Sequence, residues 1–331
     1  MARQISISVN WQGTLDYKAL LERVQIADAV GVHSAWVAEA WGRDAFTILT
    51  LMADRTRHIH LGTAIVNIYS RTPAALAQHF ATLDELSGGR MIIGLGTSGP
   101  QVIEHFHGIT FNPPLTRLKE YIEIINTLMR GEPLKYSGKL FNLQRGFTLR
   151  LTPVRNHIPI YLATLHAKSV RLTAEMADGW LPVMIPLPQL KDEIEAFRRL
   201  SGAAGRSAQA VAVRAPGVVT VTNNVEKVRA EAAGTLAFYI GRMGTFYAEQ
   251  LTRHGYGDAV QAVKKGWEAG SRAATAAVPA NLLDAISYVG SVDACSERLQ
   301  AQEESGVDIH SIHVDAADNH EYEQMLQKLV G

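Results

Sequence analysis

The sequence has 331 residues, 47% hydrophobic and 19% charged, which allows a large core and excludes an intrinsically disordered chain. Lys plus Arg number 32 and Asp plus Glu 32, and the formal net charge of +0 argues against nucleic acid or an anionic membrane as partner. The one cysteine, Cys295, excludes an intramolecular disulfide and a cysteine-built zinc cage, and the chain lacks both a run of about 18 apolar residues and an apolar leader core in residues 1–12, so a soluble cytoplasmic protein is expected.

Residues 5–9 read as a strand and 16–30 as a helix, with Tyr17, Leu20, Leu21, Val24 and Ala27 on one face, Asp16 as its cap and Gly31 as its stop. A strand over 35–38 and a helix over 45–55, with Phe46, Leu49 and Met52 inward, follow. The next pair is a strand over 59–66 and a helix over 75–87 that stops at Gly88-Gly89. A strand over 91–94 leads to an amphipathic helix over 117–130 through Leu118, Tyr121, Ile122, Ile125 and Leu128. Residues 132–159 break the cadence with Pro133, Gly138, Gly146, Pro153 and Pro159, and read as a hairpin-like excursion. Strand 158–163, helix 168–176, strand 179–184, helix 190–200 and strand 211–221 resume it. Residues 224–288 are Ala-rich and mainly helical, longer than one crossover needs, and read as an insertion. Strand 307–314 and helix 320–329 close the chain. Apolar strands alternating with helices imply βα units and a parallel sheet covered on both faces. The α/β class expected is a (β/α)8 TIM barrel with insertions, one domain over residues 1–331.

In such a barrel the chemistry lies at the C-terminal ends of strands. That rule selects Asn10 and Trp11, Glu39 to Trp41, Asn67 to Arg71, Gly96 to Gly99, and Thr164 to His166. Glu39 follows the apolar run 35–38 between Trp36 and Trp41, and is either a hydrogen-bonding or proton-relaying group or one half of a surface ion pair. Gly94, Gly96 and Gly99 match GxGxxG, but the motif lies after three βα units, not in the first, and no acidic strand end follows about twenty residues later. It reads instead either as a glycine turn that simply ends a strand or as a strand-to-helix turn whose amides and Thr97 and Ser98 hydroxyls can hold a phosphate or polar ligand edge. His58 and His60 lie at the N-terminal end of their strand, and His310 and His313 face opposite sides of theirs, so no metal site is expected. His105 and His107 share a side only if the chain there is extended. Lys168 opens a helix, which disfavours a Schiff base, and no GxSxG elbow occurs.

Leu61-Gly62-Thr63-Ala64-Ile65-Val66-Asn67, Arg71-Thr72-Pro73-Ala74, the run 81–90 ending in Leu86-Ser87-Gly88-Gly89-Arg90, and the glycine turn 94–99 together resemble the bacterial luciferase-like superfamily. Ile160 to Ala163 and the run 174–180 extend the resemblance over nearly the whole chain. It implies an oxidoreductase of one of two branches: FMN with oxygen, or the deazaflavin coenzyme F-420, as in methylenetetrahydromethanopterin reductase. The runs 36–46 and 94–100 look more like the deazaflavin branch. Hydride transfer between coenzyme F-420 and a small organic substrate is therefore expected, with a two-component FMN monooxygenase or a non-catalytic flavin-binding member as alternatives. The resemblance further implies a non-prolyl cis peptide at Ala64–Ile65 forming a bulge behind the cofactor's central ring, with Asn67 at the end of the same strand. It places Glu39 against that ring, Thr97, Ser98 and Gly99 by the hydroxyl chain, and Ala163, Thr164 and Leu165 by the phosphate or ring. Asn10, Trp11 and Trp41 would line the substrate pocket, and two copies would pair as a homodimer. Several relatives carry a histidine where this chain has Ala40, which leaves Glu39, Tyr69 and His166 as the candidate catalytic groups.

Overall fold

A computed structural model describes residues 3–9 and 13–331. The chain divides into two compact units, Ser8–Trp180 and a second made of Met1–Ile7 with Leu181–Gly331. It opens on β1 (Ile5–Val9).

In the unit Ser8–Trp180, α1 (Tyr17–Ala29) begins where the Asp16 carboxylate accepts the Lys18 and Ala19 amides. β2 (Ser34–Val37) leads to α2 (Ala45–Arg55), whose start is fixed by Asp44 accepting the Thr47 amide at 2.7 Å. The strand expected over 59–66 is two pieces, β3 (His60–Thr63) and β4 (Val66–Asn67), separated by a cis Ala64–Ile65 bond. α3 (Pro73–Ser87) starts two residues before the expected 75, because Thr72 caps it and proline fits a first helical turn that needs no N–H from it. β5 (Met91–Gly96) is buried throughout. The short α4 (Pro100–His105) has no counterpart in the sequence reading. α5 (Pro114–Met129) starts three residues before the expected 117, again with proline in the first turn.

Within 132–159, β6 (Leu134–Ser137) and β7 (Asn142–Phe147) pair antiparallel. The buried Glu120 of α5 anchors their turn by accepting the amides of Lys139, Leu140 and Phe141 at 2.6, 3.1 and 3.0 Å. β8 (Ile160–Ala163), α6 (Ala167–Met176) and β9 (Gly179–Trp180) complete the unit. The expected strand 179–184 is thus only two residues long. The sheet here runs β2-β3-β5-β8-β9, all parallel, with β4 alongside β5.

Arg90 locks the N-terminal side of this sheet. Its guanidinium is buried and donates to the carbonyls of Ala53, Thr56, Ile59 and Ser87 and to the Thr56 hydroxyl. Asp84, 1% exposed, pairs with Arg155 at 2.7 Å and accepts the Met91 amide at 3.0 Å. Gly88 and Gly89 take φ of 69° and 85°, the left-handed turn that lets α3 stop and β5 start within this lock. The run 84–90 is therefore a structural clasp between α3, α2 and β5.

The second unit begins with α7 (Leu187–Ala203). The strand expected over 211–221 is split into β10 (Ala212–Val213) and β11 (Val219–Thr222). The break contains Gly217, where a Cβ would lie 1.9 Å from the Ile286 carbonyl oxygen. Residues 224–288 hold α8 (Val225–Arg242), α9 (Phe246–Leu251), a π-helical turn (Thr252–Tyr256), α10 (Gly257–Gly266), α11 (Ser271–Ala276) and α12 (Ala280–Ile286). They bury their own core around Leu236, Ile240, Leu251, Val263 and Leu282. β12 (Tyr288–Gly290) and α13 (Val292–Glu304) follow, then β13 (His310–Asp315) and α14 (Asn319–Val330). Here β1, β13, β11 and β12 lie side by side and parallel. Arg214 is partly buried on this sheet and donates to the hydroxyls of Ser6 and Ser311 at 3.1 and 2.9 Å. Among the described residues no helix is long and apolar enough to cross a membrane.

Candidate active site

Most of the residues selected from the sequence lie in the unit Ser8–Trp180, beyond the C-terminal ends of β2, β4, β5 and β8. Beyond β2 the chain is tied to the cis segment: Ala64 donates to the Val37 carbonyl at 2.9 Å, and Glu39 donates to that of Ile65 at 3.0 Å. The Glu39 side chain is 10% exposed. Its carboxylate accepts from both terminal nitrogens of Arg71, at 2.5 and 3.1 Å, and from the Ala45 amide at 3.0 Å. Arg71 also pairs with Asp44 at 2.5 Å, and its guanidinium lies 4.7 Å above the Phe46 ring. Burial pushes the Asp44 carboxyl up, but the Thr47 amide and hydroxyl and the Arg71 charge outweigh it and hold it below its ordinary value. Glu39 is thus engaged by a guanidinium and a helix N-terminus, an arrangement that fixes geometry. Arg71, to which the sequence reading gave no role, is its partner 32 residues away.

Asn67 is 1% exposed, and its Oδ1 accepts the amides of Tyr69 and Ser70 at 2.9 and 2.8 Å. Its Nδ2 lies 3.3 Å from Nε2 of His107. The Tyr69 ring stacks on Phe111 at 5.4 Å, with the Arg117 guanidinium 4.8 Å from its centroid. The Tyr69 phenolic oxygen is buried beside the Arg117 side chain and has no acceptor for its proton among the described residues. Burial raises its pKa, against the opposing Arg117 charge. A phenol held in its protonated form is a donor awaiting an acceptor.

Within β5 the glycines serve close packing. A Cβ on Gly94 would meet the Thr63 carbonyl oxygen at 1.6 Å, and one on Gly96 would meet Cδ1 of Ile65 at 2.7 Å. The Thr97 hydroxyl donates to the Ser98 carbonyl at 3.1 Å, and Ser98 has a left-handed φ of 55°. Gly99 caps α4 through its carbonyl. Beyond β8, Thr173 donates its hydroxyl proton to the Ser169 carbonyl, so the 2.8 Å contact between Thr164 and Thr173 has Thr164 as donor. The Thr164 carbonyl accepts the Trp180 indole N–H at 3.2 Å. Thr164 is therefore buried in packing against α6, while Ala163 and Leu165 remain partly exposed. His166 is exposed and opens α6, its carbonyl accepting from Ser169 and Val170. Trp41 is 37% exposed, and Asn10 and Trp11 lie outside the described residues.

The structure brings Glu39 to the cis segment and sets Asn67 beside Gly96 in the parallel register of β4 and β5. His60 is partly buried and stacks on His33, ring centroids 5.0 Å apart. Among the described residues no group of three or more His, Cys, Asp or Glu side chains could hold a metal ion. His107 escaped the sequence reading, which had no partner for it, because its neighbour Asn67 is 40 residues away.

A parallel α/β chain with its polar side chains gathered at strand ends and a cis link after β3 defines a class, and comparison with known proteins identifies it. The luciferase-like monooxygenase family profile matches residues 5–309, and the chain belongs to that family. A Mycobacterium tuberculosis protein with the provisional name coenzyme F-420-dependent oxidoreductase is 32% identical over 336 residues, covering 95% of this chain and 96% of that one. The 5,10-methylenetetrahydromethanopterin reductase of Archaeoglobus fulgidus is 32% identical over 304 residues, 88% of each chain. The solved coenzyme F-420-dependent tetrahydromethanopterin reductase from Methanopyrus kandleri superposes with a TM-score of 0.84 at 22% identity, covering 100% of this chain and 98% of that one. The fold is accordingly the luciferase-like TIM barrel.

Proposed function

We propose that this protein is an oxidoreductase that binds coenzyme F-420 and exchanges hydride with a small organic substrate. The observation that carries the reading is the 32% identity, over 95% and 88% of the chain, to an oxidoreductase named for coenzyme F-420 and to a methylenetetrahydromethanopterin reductase. The residues at the strand ends fit a flat ring. Ala64, which follows β3, and Ala163, at the end of β8, carry only a methyl group where longer side chains would fill the space. The Tyr69 phenol, whose neighbour Arg117 can only donate, keeps its proton free for a polar edge.

In this reading Ala64, Ile65 and Asn67 back the ring, and Thr97 to Gly99 with Ala163 to Leu165 take the polar chain. Bound coenzyme F-420 would supply the hydride chemistry. Glu39, held by Arg71, sets the position of the segment between β2 and α2, and is a positioning residue rather than a proton carrier. Tyr69 keeps its proton at neutral pH, as burial favours, and can share it with a ligand oxygen. His166 at the start of α6 and Trp41 belong to the substrate side, and a homodimer is part of the same proposal.

The FMN branch of the family is the reading to test against. Oxygen uptake is measured with reduced FMN supplied by a separate reductase. No protein-dependent uptake is expected, whereas stoichiometric uptake would move the protein to the monooxygenase branch.

A further inference from the structure

His107 is the one imidazole at these strand ends whose protonation pattern the geometry fixes. The orientation of the Asn67 amide follows from its neighbours: Oδ1 accepts two backbone N–H groups, from Tyr69 and Ser70, so Nδ2 is the atom that faces His107. An amide nitrogen only donates. The His107 Nε2 at 3.3 Å must therefore offer its lone pair, which places the ring's proton on Nδ1. Nδ1 has no protein partner among the described residues, and the ring is partly exposed. The two ring nitrogens diverge, so a proton on Nδ1 points away from Asn67.

We propose that His107 is a neutral hydrogen-bond donor whose Nδ1–H binds a carbonyl oxygen of the redox ligand, with Asn67 as the residue that sets its tautomer. The proposal rests on the reading above that a deazaflavin ring occupies this site, and it assigns one polar contact to that ring. A neutral imidazole holds its one N–H proton too tightly to release it near neutral pH, so its part is to polarise an acceptor by hydrogen bonding, not to act as an acid. Asn67 is well placed for this: it lies at the end of β4, beside Gly96, and its side chain is fully enclosed.

The experiment is nitrogen-15 NMR of the histidine rings in the full chain, with His107 assigned by the loss of its signals in His107→Leu. The wild-type ring is expected to be protonated at Nδ1 and bare at Nε2. Asn67→Asp keeps an oxygen for the Tyr69 and Ser70 amides but sets an acceptor opposite Nε2, so Nε2 should become the protonated nitrogen. Adding coenzyme F-420 should shift the Nδ1–H signal, and His107→Leu should weaken binding about tenfold, the ratio that one hydrogen bond supports. His107→Asn, whose amide nitrogen can stand where Nδ1 stood, should restore most of it. A wild-type ring protonated at Nε2, or a saturating ligand that leaves Nδ1–H unmoved, overturns the inference while the F-420 reading stands. Failure of both coenzyme F-420 and FMN to bind overturns the two together.

Discussion

Arg71, selected by its strand-end position but given no role there, ties several elements of the site together. It meets Glu39 and Asp44, lies over Phe46, and its carbonyl accepts the Tyr121 hydroxyl at 2.8 Å. Arg71→Met would leave the largely buried Glu39 carboxylate without its counter-charge, so a loss of about 3 kcal/mol is expected in urea unfolding. Glu39→Gln keeps an acceptor for the Ala45 amide and should lose only ~1 kcal/mol. Equal losses in the two variants would contradict the clamp. A second residue-scale outcome concerns acid. His310 is 1% exposed, and burial, against the pull of Glu303 and with the push of Arg3, brings it down from 6.5 to about 4. His33 is pushed to about 4 by burial and then by His60. Between pH 6.5 and 4 the unfolded chain binds protons that these folded rings refuse, so stability is full above 6.5 and falls as the pH drops. At ~1.4 kcal/mol per unit, His310 alone accounts for a loss of up to ~3 kcal/mol, measurable as a lower urea midpoint at pH 5 than at pH 7.5. A midpoint unchanged over that range would contradict the buried neutral rings. At this scale the strand-end position of Glu39 was legible from the apolar run before it. Its engagement by Arg71 was not, because 32 residues and a βα unit separate them.

Elements were legible where a period repeats and illegible where it cannot. The helix 45–55 matches its expected bounds, since its apolar face repeats for three turns. α4, with six residues, offers no such repeat, and β9 and β10 have two residues each. Proline at the starts of α3 and α5 hid their first turns, because proline reads as a breaker yet is favoured there. Within the glycine turn, Gly94 and Gly96 of β5 sit where packing between strands leaves no room for a Cβ. This predicts an asymmetry within one strand. In Gly94→Ala the new methyl would sit 1.6 Å from a backbone oxygen that cannot move aside, so the variant should fail to fold. In Gly96→Ala the obstacle is the tip of Ile65, a mobile side chain, so the variant should fold with Ile65 displaced and with weaker ligand binding. Circular dichroism and a ligand titration of both variants check this, and a well-folded Gly94→Ala would contradict the packing described.

For the whole molecule, the βα cadence carried the fold class, because parallel strands covered on both faces need apolar runs separated by amphipathic helices. The run 81–90 was one of the segments that carried the family resemblance, and the physical content of its end is the Arg90 and Asp84 clasp, a matter of folding rather than of chemistry. The Ala-rich composition of residues 224–288 favours helix, but five separate helices with their own core are beyond what composition can show. The substrate stays outside the sequence for the same reason: side chains from distant segments meet only in the fold. The cofactor is the claim on which the rest depends. Fluorescence titration of the purified protein with coenzyme F-420 and FMN in parallel tests it most directly. Saturable binding of coenzyme F-420 with no comparable FMN binding is the predicted result, and stoichiometric FMN with no response to coenzyme F-420 would contradict it.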